Sequence, residues 1–170
     1  MSRRRALLMT AGSGGGWKTT PHDLTGDSDQ GVVVSQISTL NGSQGPAWRA
    51  MDGLNEEAGE VNRNHSHTGH EYKPWWQIDF GRPVTVAGLS ITYRDSDESD
   101  WGDAVSDLMV CASNDGEAWD PLAVFQYDKH PLAVTEVPIA ATRKYRYYRI
   151  QSQMSYGYLI IGELEFRYKD

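Results

Sequence analysis

The chain reads as an all-β protein, an antiparallel jelly-roll sandwich of about eight strands. Three observations predict this. The apolar segments are too short for helices, they are rich in Val, Ile and Tyr, and Gly, Pro, Asn or Asp separates one from the next. In order they are "GVVVSQIST", "WWQIDF", "VTVAGLSITYR", "SDLMVCASN", "PLAVFQY", "AVTEVPI", "YRYYRIQSQ" and "YLIIGELEFRY". So many short strands in one domain imply an antiparallel sandwich or barrel.

Side-chain alternation assigns faces. In "WWQIDF", Trp76, Ile78 and Phe80 fall on one face, with Gln77 and Asp79 on the other. Trp76 therefore serves the core, and Trp75 must point outward or lie at the strand's mouth. "SDLMVCASN" holds the single cysteine, Cys111, in an apolar run; it reads as a buried thiol, and one cysteine excludes an internal disulfide. "SNDGEAW" supplies turn residues that tolerate positive φ. "RKYRYYR" reads as outward Arg beside inward Tyr rather than as an RNA-binding cluster. In the last strand, Ile161, Leu164 and Phe166 stay inward only if the chain has a small irregularity at Gly162.

At 170 residues the chain fits one domain with a tail: residues 31–170 form the domain and residues 1–30, rich in Gly, Ser, Thr and Asp, form the tail. The tail is read either as flexible or as ordered on a partner, which would be another protein or a second copy of the chain. Trp17, alone in that stretch, either docks back onto its own domain or touches a neighbouring chain. A net charge of −7 without a basic stripe argues against nucleic acid. No apolar run reaches the roughly 18 residues of a membrane span. The opening "MSRRRALLMTAGSGGG" gives no clear signal peptide, because Gly and Ser interrupt its apolar stretch.

The motifs of common catalytic machinery, GxSxG, HExxH, CxxC and a phosphate-binding glycine loop, do not occur. "HSHTGHE" has two readings. His65 and His67 would project from one side of an extended segment with His70 nearby, as transition-metal ligands do, or the three are solvated or hydrogen-bonded histidines of a polar loop, the commoner case. "RDSDESDWGDAVSD" is acidic but lacks the glycine and closing glutamate of an EF-hand, so it reads as a solvated loop. Trp101 within it has little core to enter and suits stacking on a ligand.

Five segments in register, "AWRAMDGLNEE", "WWQIDFGRPVTVAGLSITYR", "LMVCASNDGEAWDPL", "YRYYRIQSQ" and "IIGELEFRY", resemble the coagulation-factor type C, or discoidin, family and its bacterial relative, carbohydrate-binding module family 32. The resemblance covers about residues 30–169 and implies a galactose-binding-like jelly roll that binds glycans without catalysis. It also implies a structural Ca²⁺ held by the side chains of Asp52 and Glu163, the carbonyls of Arg49, Leu54 and Gly162, and Glu57, where "EEAGE" replaces the family's Thr-x-Trp. Sugar-binding relatives combine a His, an Arg or Asn and an aromatic platform on loops at one end of the sandwich. Carried over, this gives His65, His67, His70, Arg94, Trp101 and Tyr156 as ligand-binding candidates, with Tyr72 and Trp75 behind them. The expected function is a lectin-like module for glycans, galactose-type among them, at an extracellular or virion or cell surface. The alternative is a structural or adhesion module anchored by its tail.

Overall fold

The computed structural model describes residues 16–42, 44–54, 65–94, 103–140, 142–153 and 156–170. Trp101 and Glu57 lie outside them. Among the described residues thirteen strands follow in chain order: β1 (Lys18–Thr19), β2 (Ser28–Asp29), β3 (Val32–Gln36), β4 (Ser66–His67), β5 (Glu71–Tyr72), β6 (Trp75–Thr92), β7 (Asp107–Ser113), β8 (Asp120–Gln126), β9 (Val134–Pro138), β10 (Tyr145–Ser152), β11 (Tyr156–Gly157), β12 (Ile160–Ile161) and β13 (Glu163–Lys169). A 3-10 turn at Ala47–Met51 is the helical piece among them.

The strands form an antiparallel sandwich, and β6 belongs to both of its layers. Residues 75–84 of β6 pair with β3 and β10, and the layer continues through β7 to β8, with β2 beyond β3. Residues 85–92 pair with β13 and β9, and β1 adds to β13. "WWQIDF" and "VTVAGLSITYR" were expected as two strands because "GRP" separates them, and this is corrected. Gly81 takes φ +69 and the register against β10 shifts between Tyr145 and Tyr147, so Pro83 falls in a bulge where no ladder donor is needed. The strand bends there without ending.

The alternation of β6 holds. Trp76, Ile78 and Phe80 are buried between the layers with Leu89, Ile91, Leu108, Val110, Tyr148, Ile150, Leu164 and Phe166. Burying each such large apolar side chain contributes about 1.5–3 kcal/mol. The indole Nε1 of Trp76 donates to the Ala47 carbonyl at 2.9 Å, tying the 3-10 turn to the core. Gly162 sits in the expected irregularity, its N–H donating to the Thr92 carbonyl at 2.9 Å, and Ile161, Leu164 and Phe166 all point inward.

Trp75 takes the opposite face. The Arg149 guanidinium lies 4.4 Å from the Trp75 ring centre and 3.8 Å from that of Trp119, and its Nε and Nη2 donate to Gln77 Oε1 at 3.2 and 2.9 Å. A cation between two indoles with its donors engaged is a surface staple. Cys111, opposite Arg149 in the register, is buried, and burial pushes its thiol up to about 11. Arg146 and Arg149 do face outward and Tyr145 and Tyr148 inward; Tyr147 is the exception, on the outer side beside Arg146.

The tail boundary moves. Residues 17–30, read from the sequence as part of a loose tail, are built into the domain. β1 extends the second layer, Thr20 exchanges two hydrogen bonds with Phe166, and Leu24 is buried with its N–H donating to the Met51 carbonyl at 3.0 Å. Backbone pairing and one leucine anchor this segment, which composition could not reveal. Trp17 docks onto its own domain, with Arg167 and Lys169 at 5.3 and 4.8 Å from its ring centre. Asp170 then bridges Lys18 and Arg82.

Candidate functional site

At one end of the sandwich two short ribbons meet the segment 103–105. In the first ribbon β4 pairs with β12, His67 opposite Ile160. In the second β5 pairs with β11, Tyr72 opposite Tyr156. Tyr158 joins both to the segment: its N–H donates to the Asp103 carbonyl at 3.0 Å and its carbonyl accepts from Val105 at 2.9 Å. A Cβ at Gly157 would meet the Asp103 carbonyl oxygen at 2.0 Å, so the approach requires glycine.

The predicted ligand residues divide by burial. His65 and His67 are buried, which corrects the solvated reading of these two, while His67 keeps the hydrogen-bonded one. Gln36 explains the difference: it bonds Ser66 Oγ at 2.6 Å and the carbonyls of Gly45 and His67 at 3.0 and 3.2 Å, drawing this polar stretch into the structure. The His67 Nδ1 is 2.8 Å from the Thr68 carbonyl. Arg94, at the end of β6, is buried as well. Of the candidates among the described residues, His70 and Tyr156 face solvent. Among those residues no group of three His, Cys, Asp or Glu gathers as a metal site, so the transition-metal reading of the histidines has no such cluster there.

Around His70 the rings form a continuous set. His70 lies 6.4 Å from Tyr156 with the planes 19° apart, and Tyr156 lies 4.9 Å from Tyr72. Tyr158 meets His70 edge-on at 5.0 Å and reaches back to His67 at 5.2 Å. His70 Nε2 is 3.5 Å from Asp103 Oδ2, an ion pair only when the imidazole is protonated. Exposed aromatic faces beside imidazole and carboxylate can stack on an apolar ring face and hydrogen-bond to hydroxyls at its rim. Tyr158 and Asp103 were not anticipated. The Tyr-Gly-Tyr spacing at 156–158 was the available signal, hidden because "YLIIG" reads as a core strand.

Two of the predicted metal residues, Asp52 and Glu163, lie beside each other at a different corner. Arg49 Nη1 donates to Asp52 Oδ2 at 2.9 Å and the Leu54 N–H to Asp52 Oδ1 at 2.9 Å. Burial nevertheless prevails over Arg49, and the Asp52 carboxyl is raised above its usual range. Both Glu163 oxygens are buried without a hydrogen-bond partner. Burial, then the neighbouring Asp52 charge, pushes Glu163 up to about 9; the N–H groups of Gly53 and Leu164 oppose the shift without reaching bonding geometry. Gly162, next in the chain, and Leu54 complete the described part of the predicted set. A buried carboxylate without a hydrogen-bond partner, beside a second carboxylate, is a donor set that fits a hard cation.

The family model described as "NedA-like, galactose-binding domain" matches residues 49–150. A lectin-domain mutant of lectinolysin, solved in complex with Lewis b, is 25% identical, with a TM-score of 0.66 over 86% of this chain and 98% of that one. The family 32 carbohydrate-binding module of NanJ from C. perfringens, in complex with galactose, shares the fold at 18% identity, with a TM-score of 0.66 over 89% of this chain and 98% of that one. A fucolectin from striped bass (Morone saxatilis) serum, 23% identical, gives a TM-score of 0.67 over 82% of this chain and 46% of that one. No curated protein matches the chain in sequence.

Proposed function

The chain belongs to the NedA-like galactose-binding domain family, and from that premise we propose that it is a non-catalytic, lectin-like module whose glycan site is the ribbon end carrying His70 and Tyr156. The observation that carries the reading is the exposed pairing of His70 with Tyr156 on a scaffold whose relatives include a lectin domain solved with Lewis b and a module solved with galactose. In this reading the Tyr156 face packs on the C–H face of a pyranose. His70, set against Asp103, bonds the ring hydroxyls. The buried Arg94, His65 and His67 support that end rather than touch the sugar.

The Asp103 carboxylate beside His70 favours a neutral sugar over a carboxylated or phosphorylated one, in line with the net charge of −7. A galactose-type terminal unit is the first specificity proposed. An extracellular or surface-exposed setting accompanies that ligand class.

We also propose that the Asp52–Glu163 corner holds Ca²⁺, with the carbonyls of Arg49, Leu54 and Gly162 as further ligands. The support is the buried Glu163 carboxyl, whose two oxygens have no hydrogen-bond partner, with Asp52 beside it. Ca²⁺ there would add positive charge beside Glu163, as Arg49 does at Asp52, and fix the 3-10 turn to the start of β13.

A glycan array with Ca²⁺ present tests the function. Selective binding of galactose- or fucose-terminated glycans, reduced in Tyr156→Ala, is the expected result. A folded wild-type protein that binds no glycan overturns it.

A further inference from the structure

His70 and Tyr156 account for one sugar unit, but the aromatic surface does not stop at Tyr156. Tyr72 continues it, 4.9 Å away, and is 46% exposed, while Tyr156 is 68% exposed. Two large phenol rings left this open on a domain with a well-filled core need a reason. Their pairing alone does not provide one, because the planes are inclined by 37° and each ring keeps area free for a further partner.

The backbone is built to hold them there. Tyr72 and Tyr156 are directly opposed across the two-stranded ribbon, which places their side chains on one face. The ribbon is fixed from below by the close contact of Gly157 with the Asp103 carbonyl. After Tyr72 the chain turns through Lys73, a non-glycine residue at φ +52, and Pro74 before Trp75 enters the sheet. That uncommon conformation lets a three-residue step send Tyr72 to the ribbon surface and Trp75 to the Arg149 stack. The Lys73 ammonium lies 5.5 Å from the Tyr72 ring centre, at the rim of the shelf.

The spacing excludes one alternative. Gripping a sugar between His70 and Tyr156 needs two van der Waals contacts, about 7–8 Å between ring planes. The 6.4 Å separation is too small for that. The rings therefore act as a shelf traversed in series: His70, Tyr156, then Tyr72.

We propose that Tyr72 forms a second sugar subsite, so that the ligand is an oligosaccharide of at least two units lying along the shelf, its terminal unit over Tyr156 beside His70 and the next over Tyr72. This rests on the glycan-binding reading above. The preorganised ribbon means that the second unit gains contact without ordering a loop, so the gain appears as affinity.

The experiment uses the full chain with Ca²⁺ and isothermal titration against galactose, fucose and galactose- and fucose-terminated di- and tetrasaccharides, Lewis b among them. For the tightest oligosaccharide, the expected result is binding at least tenfold tighter than its own terminal monosaccharide. Tyr72→Ala removes that gain and Tyr72→Phe keeps it, because the ring face rather than the hydroxyl makes the contact. Melting curves of the variants should match wild type, since Tyr72 is exposed. Equal affinity for monosaccharide and oligosaccharide, or a gain that survives Tyr72→Ala, overturns the subsite while leaving the glycan reading intact. Absence of binding to every sugar overturns both.

Discussion

Tyr72 and Trp75 are three residues apart and do opposite things. On the Trp75 side the aromatic faces are filled: Arg149 lies between Trp75 and Trp119, and Gln77 takes its donors. On the Tyr72 side the faces are open, with Tyr156 the most exposed large hydrophobic side chain among the described residues. Both groups are aromatic clusters on the outside of the same sandwich. An aromatic group whose faces and donors are satisfied stabilises the fold, and one left unsatisfied is available to a ligand.

Substitutions on the two sides of the Lys73–Pro74 turn should separate these roles. The reference point for a purely structural aromatic is Trp76, fully buried and bonded to Ala47. Trp76→Ala should cost about 3–5 kcal/mol in urea unfolding. A loss below about 1 kcal/mol would contradict the packing of both layers on that ring.

Next in size is the metal corner. If Ca²⁺ fills the Asp52–Glu163 site, a free ion concentration one hundred times its Kd stabilises the fold by about 2.7 kcal/mol. Excess chelator should lower the Tm of wild type accordingly. Glu163→Gln, which removes the buried charge but keeps the shape, should melt at the same temperature with or without Ca²⁺. A wild-type Tm indifferent to chelator would reject the ion.

Arg149→Ala should then cost roughly 1–3 kcal/mol through loss of two cation–π contacts and the bonds to Gln77, with glycan affinity unchanged. Tyr156→Ala should show the reverse, with stability within about 0.5 kcal/mol of wild type and binding weaker by more than about 1 kcal/mol, roughly fivefold. If Arg149→Ala impaired binding as much as Tyr156→Ala, the division between filled and open faces would not hold.

The smallest effect belongs to the seam between the chain's two end segments. Lys18, followed by Arg82, holds the Asp170 carboxyl down at about 2, below its ordinary 3.8. A depressed carboxyl stabilises the fold above its unfolded value and loses that contribution as the pH falls through about 2. Trp17 fluorescence in wild type should therefore change between about pH 4 and 2, and Asp170→Asn should remove that transition. The groups are exposed, so the energy involved is small.

How much of this the sequence reveals varies by region. The opposite roles of Trp75 and Trp76 follow from two-residue alternation alone, and Gly162 from the need to keep Ile161 and Leu164 on one side. The continuity of β6 does not, because Gly81 and Pro83 are ordinary turn residues until the bulge opposite Tyr145 shows that no donor is needed there. The burial of the His65–His67 stretch is not legible because Gln36, which bonds Ser66 and the His67 carbonyl, sits thirty residues upstream of Ser66. The closeness of Asp52 and Glu163 accords with the family resemblance, while the burial of the Glu163 oxygens away from any hydrogen-bond partner has no local sequence signal. The pairing of Tyr72 with Tyr156 spans eighty-four residues through a ribbon only two residues long. No local pattern encodes such a register.

The unbroken course of β6 also bears on mechanical load. A tethered glycan pulling on Tyr72 would pass its force through the Lys73–Pro74 turn and into the axis of this strand. Antiparallel hydrogen bonds run across that axis, so the ladders to β3 and β10 carry the load in shear, many bonds at once, rather than peeling one by one. Beyond the bend the same strand is gripped by β13 and β9. The proposed shelf thus sits at the end of the strand that both layers grip, so a glycan held there would load the sandwich along its most widely paired element.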